Sequence, residues 1–432
     1  MNTDASRNPG AGAGTSPGKD PLPGDLVMAR ALWPVLLASA VGLLPFTVFS
    51  TYLVPIADRA GSGVAAVGGL RGLGGLAALL VGTALAPFLD RVRRDRAAAG
   101  ALVVLGASAA LGASGDFVLL AAFCLLVGAS TAVLNPALTA AAADRYGDGP
   151  AAGRAATLVT ATQSMTAMLA APAVALPALL WGWQGDLLAV AAACLVLAAV
   201  VLARGRREAA GDRPGAGAAR HPGYLASFRG LAAVPGAVPL LLVSLLRTAV
   251  FMGYLAYLAA HYGDRFGLDP AVFALVWTLS GTAYFVSNLL TGRITNSAAP
   301  RLSTERLLVL GLLTSLASVV AFYATDRLPL ALALTALHAA SHAVVAACAV
   351  SLLVRRCGAR RGAALSLNAA GQSLGVFAGA ALGGAGLALA GDAGIATVFG
   401  ALVAVALGAA LLVVRTRPDE PEELDQDPGR TP

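Results

Sequence analysis

The sequence predicts an all-α membrane protein with twelve transmembrane helices in two pseudo-symmetric six-helix bundles. Three observations predict it. First, 57% of the 432 residues are hydrophobic and only 12% are charged, about half the charge of a soluble chain. Second, the apolar residues gather into twelve long runs, near 30–56, 64–89, 97–113, 117–142, 155–180, 186–204, 237–260, 270–291, 306–323, 328–354, 362–390 and 394–414. A bilayer-spanning helix needs ~20 such residues. Third, signals in the first six runs recur in order in the last six. Lipid offers the backbone no hydrogen bonds, so only helices or a closed barrel can cross it. These runs are rich in Leu, Ala, Val and Gly and lack the ten-residue alternation of barrel strands, which leaves helices.

The orientation is read from charge. Ala86 to Arg96 reads A-P-F-L-D-R-V-R-R-D-R, a short charged loop between two membrane-length runs. Such loops stay in the cytoplasm because Lys and Arg are costly to translocate. Alternation from that loop puts both termini inside. It also puts 25 of the 30 Lys and Arg residues in the tails and loops of one face. The remainder are Arg59, Arg265 and Arg327 in loops of the other face, and Arg71 and Arg247 within runs. Trp33 falls near the inner interface and Trp181 and Trp183 near the outer one, as an aromatic belt requires. The net charge of +7 is therefore a topology signal and not a nucleic-acid footprint. The expected location is the cell inner (plasma) membrane, as a multi-pass protein with both termini cytoplasmic.

Residues 1–26 are rich in Gly, Pro, Ser and Asp and are expected to be an unstructured cytoplasmic tail. They hold no apolar core of the kind a secretory signal needs. Residues 27–204 form the first expected six-helix bundle, 205–236 a cytoplasmic linker, 237–414 the second bundle, and 415–432 a second unstructured tail. Phe49-x-x-Tyr52-Leu53 followed by Asp58-Arg59-x-Gly61 recurs as Tyr254-x-x-Tyr257-Leu258 followed by Asp264-Arg265-x-Gly267. Ala86-x-x-x-Asp90 recurs as Gly292-x-x-x-Asn296, and Arg154-x-x-x-Leu158 as Arg361-x-x-x-Leu365. Both of the last pair lead to a Gln-Ser dipeptide, at Gln163 and Gln372. The offsets fall between 205 and 207 residues, and at 209 for the Gln-Ser pair. Duplicated units of this kind characterise secondary transporters.

With these motifs the chain resembles the major facilitator superfamily, in particular its bacterial twelve-helix solute and drug efflux group, over about residues 30–414. The loop after the second helix of that family reads G-x-x-x-D-R-x-G-R-R/K. Here it is Ala86-x-x-x-Asp90-Arg91-x-Arg93-Arg94-Asp95. The resemblance implies an inner-gate role for Asp90, Arg91 and Arg94. Two other family motifs are altered. Cys124 stands where the fourth-helix R-x-x-x-G motif has its arginine, with Gly128 retained, and Ala171-Pro172-x-x-Ala175-Leu176 keeps only the proline of G-P-x-x-G-G. The resemblance thus implies the fold, alternating access and efflux, without the usual marks of drug–proton antiport.

A charge inside a span is a candidate functional group, because centring it in lipid costs about 2.5–3.5 kcal/mol on insertion scales. Arg247 lies near the middle of the seventh run, with Phe251 and Tyr254 on its face by helical spacing. In the resembled fold, helices 1, 4, 7 and 10 line the cavity. Arg247 is then either an anchor for an anionic or polar substrate group, or a structural arginine bonded to a neighbouring helix. His338 and His342 lie one turn apart on the tenth run and no Asp or Glu is placed deep in any span. They are candidates for substrate binding or proton coupling, since histidine titrates near neutral pH; the alternative is a pair of neutral histidines bonded between helices. Tyr52 on the first run and Asn135, before Pro136 on the fourth, complete the substrate-binding candidates. Asn135-Pro136 is expected to break the fourth helix. Arg71 is expected to snorkel to the interface.

Ser50, Thr51, Gln163, Asn288, Asn368 and Gln372 read as interhelical hydrogen-bonding groups. Gly371, Gly375, Gly379 and Gly383 recur every four residues, a packing stripe that lets two helices approach closely. Gly72-x-Gly74-Gly75 has no preceding strand and no G-K-[ST] ending, so it is not a nucleotide loop.

The reading is a secondary active transporter that moves a small organic solute by alternating access in the direction of efflux. Its rivals are an uncoupled facilitator, an importer, and a membrane-embedded enzyme or sensor. No catalytic constellation is visible, so no enzyme is expected. Nor is a cofactor or metal expected, since two histidines without a third ligand are too few. The four cysteines form no C-x-x-C pair. The expected partners are a small-molecule substrate, the lipid bilayer and protons as coupling ion, with no nucleic acid, and the protein is expected to act as a monomer.

Overall fold

The computed structural model describes residues 25–89, 92–146, 150–209, 229–295 and 302–416. The two expected tails outside that range, residues 210–228 of the expected linker, Asp90, Arg91 and Asn296 lie outside the described residues. Those described are helical with short turns, and no strand occurs among them. Ten helical stretches are long and apolar enough to cross a membrane. One of them, Gly362–Arg415, has 54 residues. At 1.5 Å per residue that is about 80 Å, enough for two crossings.

The first span is not one rod. It is built from Asp25–Val41, Leu44–Thr51 and Leu53–Arg59. Pro45 opens the second piece, and Tyr52 at the second break has φ −105° and ψ 29°. The seventh span, its repeat partner, is unbroken from Ala237 to Phe266 and stops at Gly267 in the left-handed region. Proline chemistry separates the two copies: Pro45 and Pro55 remove backbone donors from the first span, and their counterparts in the seventh are not proline.

The second, third and fourth spans are Val64–Leu89, Arg94–Gly112 and Phe117–Asp144. Asp116 caps the fourth, its Oδ1 accepting from the backbone of Val118 at 2.9 Å and Leu119 at 3.0 Å. The expected break at Asn135-Pro136 does not occur. The helix runs through Pro136 as far as Asp144, because a proline inside a helix held by neighbours costs one hydrogen bond without forcing the chain apart.

The fifth and sixth spans are two helices within Pro150–Ala209, joined at Gly182, whose φ of 65° and ψ of 177° are non-helical. The eleventh and twelfth are likewise two helices within Arg361–Arg415, joined at Ala390 and Gly391, the latter with φ 56°. Glycine alone adopts these angles without a Cβ penalty. The two joins lie 209 residues apart, close to the repeat spacing, and each carries a glycine with positive φ. The eighth, ninth and tenth spans are Pro270–Thr295, Thr304–Ala324 and Leu328–Cys357.

Within each half, glycines set the closest approaches. A Cβ at Gly128 would meet the backbone of Gly74, which brings the second and fourth spans together. The stripe on the eleventh span packs as its spacing requires: Gly375 and Gly379 lie against the backbone of Leu245 and Ala249 on the seventh. Between the halves, Gly72 and Gly75 of the second span rest on the backbone of Phe377 of the eleventh, and Gly68 receives the ring of Tyr257. Pro150–Ala209, which holds the fifth and sixth spans, meets the eighth to form the other seam. Leu80, Val196, Leu275 and Leu389 are among the exposed apolar side chains, as expected of helices solvated by lipid.

Candidate substrate-binding site

Four of the residues singled out in the sequence converge in the second half. Arg247 is 6% exposed and its Nη2 donates to Thr248 Oγ1 at 3.0 Å. One turn on, Phe251 stacks on His342 with ring centres 4.9 Å apart, and on Tyr284 of the eighth span at 5.5 Å. A further turn on, Tyr254 lies 4.7 Å from the His338 ring. The two histidine rings are edge to face at 4.4 Å. Arg247 lies within electrostatic reach of His342. The helical period of the seventh and tenth spans thus assembles a buried patch of one guanidinium, two imidazoles and three aromatic rings.

Each histidine is clasped by the ninth span. Ser318 Oγ lies 3.0 Å from His338 Nδ1, and Ser315 Oγ lies 3.0 Å from His342 Nε2. These bonds orient the rings and occupy one nitrogen of each. The other nitrogens, His338 Nε2 and His342 Nδ1, are buried without a partner, and so is Arg247 Nε. An unsatisfied buried polar group costs about 1–3 kcal/mol. Three such groups in one patch call for a specific explanation. Tyr254 is different. Its hydroxyl is 2.7 Å from Thr335 Oγ1, which also lies 2.9 Å from the Tyr262 hydroxyl, so its polar atom is already engaged.

Tyr52 and Asn135 do not join this patch. Asn135 Oδ1 accepts from Gln163 Nε2 at 3.2 Å, tying the fourth span to the fifth. Tyr52 lies at the second break of the first span, within electrostatic reach of Asp186.

A profile for the Major Facilitator Superfamily matches residues 35–304 and 240–432. The chain belongs to the Major Facilitator Superfamily. No curated protein sequence matches it significantly. Among solved structures it is similar to a bacterial homologue of the human lysosomal transporter Spinster in an inward-facing, occupied conformation, with a TM-score of 0.72 and 16% identity over 91% of this chain and 98% of that one. The unoccupied inward-facing form gives a TM-score of 0.71 at 16% identity, covering 92% of this chain and 100% of the other. A variant of the nucleoside transporter NupG gives 0.70 at 12% identity, covering 90% and 100%. Likeness at such identities is a likeness of fold.

Of the gate residues that the family motif singles out, Asp90 and Arg91 lie outside the described residues. Arg94 Nε lies 3.9 Å from Asp144 Oδ2, at the end of the fourth span. Arg93 beside it binds Asp95 at 3.1 Å and the carbonyl of Gly205 at 2.7 Å, which pins this loop to the end of the sixth span.

One sequence expectation is corrected here. Arg71 does not snorkel. It is 9% exposed, bonds Ser50 Oγ on the first span and lies over the Phe46 ring at 5.4 Å, because its helix is covered by the first span along that face. One buried acid was not singled out by the sequence: Asp186, at the start of the sixth span, is 3% exposed and neither carboxylate oxygen has a partner. The repeat was the signal that could have found it, since Asp186 and Asp392 stand 206 residues apart.

A cavity of about 160 Å³ lies at the opposite end of the seventh span from the basic loops, lined by Tyr257, His261, Asp264, Arg265, Tyr323 and Asp392, among others. Sequence reading passed over His261 because it sits at the edge of a run.

Proposed function

We propose that this protein is a secondary active transporter of the cell membrane that exports a small organic solute by alternating access. The observation that carries the substrate reading is the patch around Arg247, where three buried polar atoms lack partners beside stacked aromatic rings. A guanidinium fork suits a carboxylate, phosphate or strongly polar carbonyl. Phe251 and Tyr284 suit a flat or apolar body. The substrate is then a small molecule with an aromatic or aliphatic body and one anionic or strongly polar group. His338 and His342 serve in this reading as further polar contacts for it. Asp90, Arg91 and Arg94 act at the cytoplasmic gate, a role that rests on the family motif. The charge asymmetry of the loops supports cytoplasmic termini, and the protein acts as a monomer.

The test is a thermal-stabilisation screen of the purified protein against small organic acids, their uncharged amides and size-matched amines. Binding to the native state raises apparent stability. Acids with an apolar body are expected to stabilise the wild type and not Arg247→Ala. Stabilisation by amines alone, or equal stabilisation of Arg247→Ala, would overturn the substrate assignment.

A further inference from the structure

The cavity at the far end of the seventh span carries chemistry that the substrate patch does not use. His261 is 6% exposed, and its Nδ1 lies 3.1 Å from Asp392 Oδ1 in the turn between the eleventh and twelfth spans. Its Nε2 is buried without a partner, and so is the hydroxyl of Tyr323, both at the same cavity. Asp264, one turn beyond His261, adds a second carboxylate. Arg265 is engaged by Asp326. The groups acting on His261 are therefore Asp264 and Arg265 from its own span and Asp392 from the turn, with Tyr323 of the ninth span and Tyr262 packed on its ring.

One turn before His261, Tyr257 joins the two halves. Its hydroxyl donates to the carbonyl of Ala380 on the eleventh span at 2.7 Å and lies 3.4 Å from the carbonyl of Ala65 on the second. Its ring fills the room left by Gly68 of one half and Gly384 of the other. The cavity thus adjoins the contact that closes this face of the molecule. The repeat sharpens the point. Tyr52 and Asp186 stand where Tyr257 and Asp392 stand, but Pro55 and Ile56 fall where the histidine would be. The base belongs to the second half alone.

We propose that this cavity is a proton-binding site, with His261 as the acceptor, and that its occupancy holds the outer gate shut around Tyr257. This rests on the transport reading above. With Asp392 ionised, Nδ1–H donates to the carboxylate and the Nε2 lone pair is free. A proton from the solvent of that face adds to Nε2. No bond breaks, and the cavity becomes one unit less negative. The imidazolium then makes a charge-assisted hydrogen bond to Asp392, about twice as strong as a neutral one, and offsets Asp264. That draws the turn between the eleventh and twelfth spans onto the seventh and holds the slot for Tyr257. Loss of the proton leaves two carboxylates across a neutral ring and loosens the slot. His338 and His342 are the rival acceptors, but both are clasped by serine and have Arg247 as the charge of their patch.

The test uses two spin-label pairs in the reconstituted full-length protein. Ser114→Cys with Ala271→Cys reports the outer face, and Val92→Cys with Leu302→Cys the basic face. On acidification from pH about 8 to about 4, the outer pair is expected to shorten by several Å and the basic pair to lengthen. His261→Gln should abolish both shifts, and Asp392→Asn should weaken them. If His261→Gln fails to fold, Asp392→Asn alone carries the test. Absence of a pH-dependent shift in the wild type would overturn the proposal, as would a shift that survives in His261→Gln and disappears in His338→Gln or His342→Gln. Reciprocal movement driven by a stabilising ligand but indifferent to pH would keep the transport reading and discard the proton site. No reciprocal movement under any condition would discard the transport reading as well.

Discussion

Arg247 and Asp186 are both buried charges, and they differ in what surrounds them. Arg247 holds Thr248 with one nitrogen and keeps its Nε free beside two imidazoles. Lysine would keep the charge and lose the planar fork. Arg247→Lys is therefore expected to weaken an anionic ligand by about tenfold or more, since charge-assisted bonds contribute about 1.5–3 kcal/mol. Isothermal calorimetry on the best ligand from the stabilisation screen checks this, and unchanged affinity would remove the fork from the site. Asp186 has no donor for either oxygen. A buried carboxylate left unpaired opposes folding, so Asp186→Asn is expected to raise the melting temperature in detergent. A fall would mean that the carboxylate holds a contact the native state needs. Arg247, His338 and His342 were legible in the sequence because ionisable residues inside apolar runs stand out. Asp186 and His261 were not, because run edges blur and a residue there passes for a loop.

At the scale of elements, helix positions followed from hydropathy, while the breaks of the first span did not. The joins at Gly182 and Gly391 read as gaps between runs, and in the structure each is a non-helical join between two helices. Among 50 glycines, nothing local marks these two, and seven of the described ones have positive φ. The stripe on the eleventh span was legible because its four-residue spacing puts every glycine on one face. It yields a sharp contrast. A Cβ at Gly379 would overlap the backbone of Ala249, whereas one at Gly408 meets nothing within 4 Å. Gly379→Leu is expected to lose the native, monodisperse elution profile, and Gly408→Leu to retain it. Equal behaviour of the two would show that the seventh and eleventh spans need not approach as described.

For the whole molecule, the duplication visible at a 205–209 residue spacing organises everything else. It gives two halves, two seams, two matched joins, and three histidines of the second half, His261, His338 and His342, without a counterpart in the first. The clustering of positive charge on one face is as informative as the runs. A cysteine at Val92 is expected to react with an impermeant maleimide only in inside-out vesicles, and one at Ser114 only in right-side-out vesicles. The opposite pattern would invert the topology. Which solute is carried was not legible, because recognition depends on a few polar atoms that converge from the seventh and tenth spans, and the aromatic partner Tyr284 comes from the eighth.

Transport itself is tested most directly by flux. The strongest stabilising ligand, supplied in radiolabelled form, is offered to proteoliposomes holding the full-length protein under an imposed pH gradient. Proton-coupled alternating access predicts accumulation of the ligand against its own gradient, reversed when the pH gradient is reversed and abolished in Arg247→Ala. A ligand that binds the wild type but never crosses the membrane would contradict it.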